Sequence, residues 1–173
     1  RVAHAATLSV RETEFVQGIA AMSANGGFGP LRANAGIVGT ADLLMGDRVT
    51  PVLEAQVAAS PNRFRGVRHR AAWPLARRLA PGQPNQVPHL LLDADFRRGF
   101  AHLRLYGLTF EAWLFHPDIP DVADLARAFP QAKNIVLYGM TEAGPRISHD
   151  DVAAGRLSKV ASAPVGKLFT PLS

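Results

Sequence analysis

No cysteine occurs in the chain, which excludes disulfides, thiolate catalysis and cysteine-type zinc sites. Any metal would have to be held by His, Asp, Glu or backbone oxygen. Long apolar runs are missing as well. None reaches the ~18–20 residues that span a bilayer, and the first residues lack the pattern of a signal peptide. A soluble, cytoplasmic protein with no membrane partner is expected. The sequence starts at Arg1 rather than Met, as a processed or truncated piece does. Low-complexity segments and repeats of solenoid period are also absent. Acidic residues are in deficit, 14 against 19 Lys and Arg, for a formal net charge of +5 and a pI near 10.4. Such a balance can serve nucleic acid binding. The basic residues are dispersed, however, apart from Arg63, Arg65, Arg68, Arg70, Arg77 and Arg78, and no basic stripe interleaves with stacking aromatics. No nucleic acid partner is expected.

What is present suffices for a core. At 173 residues and 47% hydrophobic, the chain favours one domain with a buried interior. Helical and extended patterns alternate along it. Glu12 to Ser23 places Phe15, Val16, Ile19, Ala20 and Met22 at helical spacings, and Asn25 to Pro30 breaks that helix. Arg32 to Gly39 predicts a short strand, Asp47 to Ala59 a helix, and Arg63 to His69 a strand with Phe64 and Val67 as its apolar members. A connection bearing Pro and Gly runs from Trp73 to Pro88. A helix is predicted over Asp93 to Leu105, and a strand over Asn134 to Tyr138. Strands alternating with helices of about 12 residues imply βαβ units and a parallel α/β sheet. A doubly wound sheet and a partial (β/α)8 TIM barrel share this pattern.

The most informative stretch is Leu108 to Pro117, Leu-Thr-Phe-Glu-Ala-Trp-Leu-Phe-His-Pro. Phe110, Ala112 and Leu114 share one face, and Trp113 and Phe115 the other, as in a strand covered on both sides. Asp118 to Phe129 follows with helical spacing. A histidine at the carboxyl end of a parallel strand sits where α/β enzymes keep their chemistry. His116 is therefore the candidate catalytic residue. Arg65, Arg68 and His69 lie on or beside the end of the preceding strand and are candidate substrate-binding residues. Guanidinium groups can hold a substrate carboxylate through paired hydrogen bonds, and His69 could position substrate or move protons. Arg70, Arg77 and Arg78 read as a solvated basic loop. Glu111, a lone carboxylate within a strand, reads as the partner of an arginine. Phe96, Phe100 and Trp113 read as core. His89, His102 and His149 have no ligand spacing and default to surface or loop roles.

Several blocks in order carry a family resemblance. Arg11 to Pro30, Ala35-Gly-Ile-Val-Gly-Thr-Ala-Asp-Leu, Arg63-Phe-Arg-Gly-Val-Arg-His and Phe110-Glu-Ala-Trp-Leu-Phe-His-Pro resemble the amidohydrolase-related family of metal-dependent hydrolases. The likeness runs to about residue 130. It implies a TIM barrel with a metal-assisted site on its C-terminal face, and it makes His116 a metal ligand, zinc being the divalent metal expected. The family's His-x-His pair does not occur in the sequence, and no histidine follows Ile135 to Tyr138 as it does in the family. A complete barrel takes about 250 residues, so residues 1–130 are expected to form a partial barrel.

From about Phe129 the sequence resembles a different family. Phe129-Pro-Gln-Ala-Lys-Asn-Ile-Val-Leu-Tyr-Gly-Met-Thr-Glu-Ala-Gly-Pro-Arg-Ile-Ser, with Val165-Gly-Lys downstream, is similar to adenylate-forming enzymes such as acyl-CoA synthetases. There the resemblance assigns Tyr138 and Gly139 to the adenine side of ATP, Thr141 to phosphate and Glu142 to magnesium. Residues 131–173 are expected to be a short tail of that kind, with the seam within Ala128-Phe129-Pro130. A phosphate loop ending in Gly-Lys-Ser/Thr is absent. Two function classes thus stand, with a third behind them. The first is an amidohydrolase-type hydrolase, as a fragment, acting on a small carboxylate-bearing substrate. The alternative is a fragment of an adenylate-forming ligase using ATP and magnesium, and the third is a non-catalytic remnant. Open sheet edges in a partial barrel predict self-association.

Overall fold

The first helix sets the architecture by its small face rather than its large side chains. In the computed structural model, residues 2–30, 32–71, 87–114, 118–132, 135–140, 144–151 and 167–168 are described, with side chains over 7–30, 32–71, 87–114 and 118–132. Helix α1 spans Val2–Ala24. Its buried positions are Ser9, Thr13, Ala20 and Ser23, while Phe15 is 70% and Met22 54% exposed, and Leu8 and Ile19 are exposed too. The large apolar residues at helical spacing, Phe15, Ile19 and Met22, therefore do not form the inward face. Small side chains win that face because the helix comes close to strand β1, Ile37–Thr40. A Cβ added at Gly39 would lie 2.3 Å from the Gln56 amide oxygen and 3.3 Å from the Thr13 hydroxyl. Bulk there has nowhere to go.

After β1, a 3-10 turn at Leu43–Val49 opens with Asp42, whose carboxylate accepts the Leu44 N–H at 3.1 Å. Helix α2, Thr50–Ala59, follows with Pro51 in its first turn, where a missing N–H does no harm. Strand β2 covers Phe64–Arg70. Helix α3, Ala94–His102, is capped by Asp93, which accepts the Phe96 N–H at 3.0 Å. It ends in a 3-10 turn, Leu103–Tyr106, closed by left-handed Gly107, the usual residue for such a stop. Strand β3 then spans Thr109–Trp113.

These strands form a parallel sheet in the order β1-β2-β3. The protein is therefore α/β with parallel βα units. Register assigns the faces. Gly39, Val67 and Phe110 stand side by side, as do Thr40, Arg68 and Glu111, and paired residues point to the same side of a sheet. Helices α1 and α2 lie on the Gly39 side, through Thr13 and Gln56. Helix α3 lies on that side also, where Phe96 meets Phe110 at 5.8 Å and Phe100 meets Phe110 at 5.3 Å, both edge to face. All three helices thus cover one face. Val49, Leu53, Val67 and Phe96 beneath them are fully buried. The other face, with Val38 40% and Trp113 41% exposed, is bare among the described residues.

A bulge reconciles β2 with its sequence. Ile37 opposes Phe64 and Val38 opposes Gly66, leaving Arg65 without an opposite residue. One extra residue shifts the alternation by one. Phe64, Val67 and His69 consequently share the covered face although their spacing is uneven. Strand β3 corrects a second expectation, burial on both sides: it pairs with β2 alone in this sheet, and Ala112 and Trp113 are exposed.

By contact density the chain divides into two units, Arg1–Ala71 with Asp93–Trp113, and Ala72–Leu92 with Leu114–Ser173. Within the second, a 3-10 turn at Leu90–Leu92 packs on helix α4, Ile119–Ala128. Strand β4, Ile135–Met140, pairs antiparallel with β5, Gly144–Asp151, and β5 pairs antiparallel with β6, Lys167–Leu168. The expectation of a further parallel strand over Asn134 to Tyr138 is thereby corrected. Only three residues separate β4 from β5 in sequence, far fewer than the dozen or so that a parallel crossover needs.

Candidate functional site

Strand β2 and the strand beside it carry candidate residues on two opposite faces. Arg68 stands on the bare face directly across from Glu111. Its Nε and Nη2 both donate to one Glu111 oxygen, at 3.0 and 2.5 Å. The Arg68 and Glu111 side chains are 59% and 40% exposed, so water screens the pair and its stabilisation is small. Two residues further along, the Arg70 guanidinium lies 4.6 Å from the centre of the Trp113 ring, a cation–π contact. Trp113 thus lies on the face opposite Phe110, as its spacing implies, but it sits outside the core, which corrects the reading of it as a core residue. Thr40, from β1, completes this face beside Arg68.

His69 points the other way. It is 7% exposed, and its Nδ1 accepts the Leu43 N–H at 3.4 Å. The ring meets the edge of Phe96 at 5.6 Å. Burial lowers its pKa below the ordinary 6.5, and the nearby Asp42 charge opposes that only in part. A neutral imidazole is what this surrounding favours. Arg65 is the bulge residue, exposed, donating to the Asn62 carbonyl at 2.5 Å and the Phe64 carbonyl at 3.2 Å. It stands about 13 Å from His69 along the strand, at ~3.3 Å per residue. Arg65, Arg68 and His69 are therefore not brought to one point: one is at the strand's start, one on the bare face, and one in the core.

His116 lies outside the described residues, as do Thr141 and Glu142. Tyr138 and Gly139 lie within β4. Among the described residues no three His, Asp or Glu side chains converge as metal ligands would.

Two histidines given default roles turn out to be paired. His102 at the end of α3 contacts Asp47 through Nε2 at 2.9 Å and the Thr50 hydroxyl through Nδ1 at 3.3 Å. The hydrogen bond with His102 holds the Asp47 carboxyl below the usual carboxylate range. Asp47 is 75% exposed, so the cluster ties α3 to the start of α2 at the surface. In the second unit, His89 reaches both oxygens of Asp121 through Nδ1, at 3.2 and 3.1 Å. Its backbone takes φ of 50°, a left-handed conformation uncommon outside glycine. The partners lie 52, 55 and 32 positions apart, so no local spacing could have revealed them.

No described helix is long and apolar enough to cross a membrane. No family model, no curated protein and no solved structure matches the chain.

Proposed function

We propose that this chain contributes βα units of a (β/α)8 barrel to a metal-dependent hydrolase of the amidohydrolase type, acting on a small carboxylate-bearing substrate. One observation carries the reading. The three parallel strands lie in sequential order with all three helices on one side, as an arc of a barrel requires. In such an arc the bare face would line the interior, and Arg68, beside Thr40 and Glu111, would offer a cation to an acidic substrate. His116 follows β3 in the chain and would serve as a ligand to a divalent metal, zinc above others. Its role would be to hold a cation that activates water. Catalytic zinc takes three protein ligands, so His116 would act with further residues.

Equilibrium dialysis against zinc tests this directly. Stoichiometric binding to the wild-type chain, lost in His116→Ala, supports the reading. Equal zinc uptake by both chains, or none by either, sinks it. Quenching of Trp fluorescence by ATP with magnesium would instead favour adenylate-forming chemistry. Self-association through sheet edges belongs to the same proposal, because β1 and β3 each pair on one side within their sheet. Analytical ultracentrifugation of a sole monomeric species would contradict it.

A further inference from the structure

At the opposite end of the parallel sheet from the strand ends discussed above, an open cavity of about 270 Å³ is lined by Ala20, Ala24, Arg32, Ala33, Ala35, Asn62 and Arg63. These positions are the end of α1 and the approaches to β1 and β2. The lining has two distinct parts. Among the described residues, four alanines form an apolar wall, and two arginines with one amide form a polar rim with no carboxylate.

Arg63 is held in place. Its Nη1 donates to the Gln17 amide oxygen at 3.2 Å, and the same oxygen accepts the hydroxyl of fully buried Ser60 at 2.7 Å. Gln17 is a neutral acceptor, and among the described residues Arg63 forms no ion pair that would cancel its charge. The wall is fixed too, because the Ala33 N–H donates to the Ser23 hydroxyl at 2.9 Å. Arg32 is drawn to the rim by the Gly29 carbonyl at 3.3 Å. Fixed donors beside an apolar wall suit a ligand with one anionic end and one hydrocarbon end.

We infer that this cavity binds a small carboxylate with an apolar body, its carboxylate on Arg63 and its body on the alanine wall. The carboxyl end of α1 carries partial negative charge, which directs the anionic end away from Ala20 and Ala24. Size favours a ligand of one ring, since a cavity of ~150 Å³ already admits benzene. The site is separate from the proposed hydrolytic one and does not depend on it.

Benzoate is the probe, titrated into the full chain by calorimetry and by thermal melting. Saturable binding is expected, with benzamide and inorganic phosphate binding at least tenfold more weakly. Arg63→Met should weaken benzoate by about tenfold or more, as loss of a charge-assisted hydrogen bond does. Ala24→Leu, at an exposed helix position, should block the wall while Arg63 stays in place. No benzoate binding, or equal binding of benzamide, would overturn the inference. So would unchanged benzoate affinity in a folded Arg63→Met or Ala24→Leu protein, with folding judged by circular dichroism.

Discussion

The two faces of one parallel sheet differ more than any two elements of the chain. Alternate residues of β2 supply both: Phe64, Val67 and His69 go beneath the helices, and Arg68 and Arg70 to the bare side. On the covered face, stability comes from area removed from water and from close packing, where each lost methylene is felt. On the bare face, pairs such as Arg68–Glu111 trade one set of hydrated contacts for another, and little is gained. Folding of this sheet therefore rests on one of its faces.

That contrast can be broken in graded steps. Phe96→Ala removes the ring that touches His69, Phe100 and Phe110 and should destabilise by about 3–5 kcal/mol in urea unfolding. Gly99→Ala comes next. Its Cβ would lie 2.2 Å from the Leu43 carbonyl oxygen, and forcing α3 off its neighbour should cost about 1–3 kcal/mol. His69 sharpens the comparison through pH. Its folded pKa lies below 6.5, so below that pH the unfolded chain takes up a proton that the folded chain refuses. The site's stability is then full above about pH 6.5 and is lost as pH falls. His69→Gln should flatten that part of the stability-against-pH profile relative to wild type. An unaltered slope would mean that the ring is not sequestered. Smallest of all, Arg68→Met on the bare face should change stability by about 1 kcal/mol or less, with a coupling to Glu111→Gln in a double-mutant cycle of the same small size. A loss as large as that of Phe96→Ala would erase the distinction between the faces.

Much of the local structure was legible in the sequence. Asp93 before an amphipathic run, Pro51 and Pro120 in first turns, and Gly107 at a stop are signals acting over one helical turn. Long-range facts were not. The inward face of α1 follows from how near β1 approaches, which Gly39 permits but no spacing announces. The pairing of β4 with β5 rather than with the parallel sheet depends on a partner segment that carried no apolar alternation. Candidate site residues fared likewise. Arg65, Arg68 and His69 are neighbours in sequence, yet strand geometry sends them to three surroundings. The partners of His89 and His102 come from elements far along the chain.

The bulge at Arg65 also has a meaning for insertions and deletions. It works as a parity switch: one surplus residue lets an odd step in the chain place Phe64 and Val67 on the same side. Deleting Arg65 would leave Phe64 two positions from Val67, so a regular strand would keep both on the covered side with the pairing to Ile37 and Gly39 intact. Position 65 is therefore the one place in the strand where a residue can be lost without turning either face over.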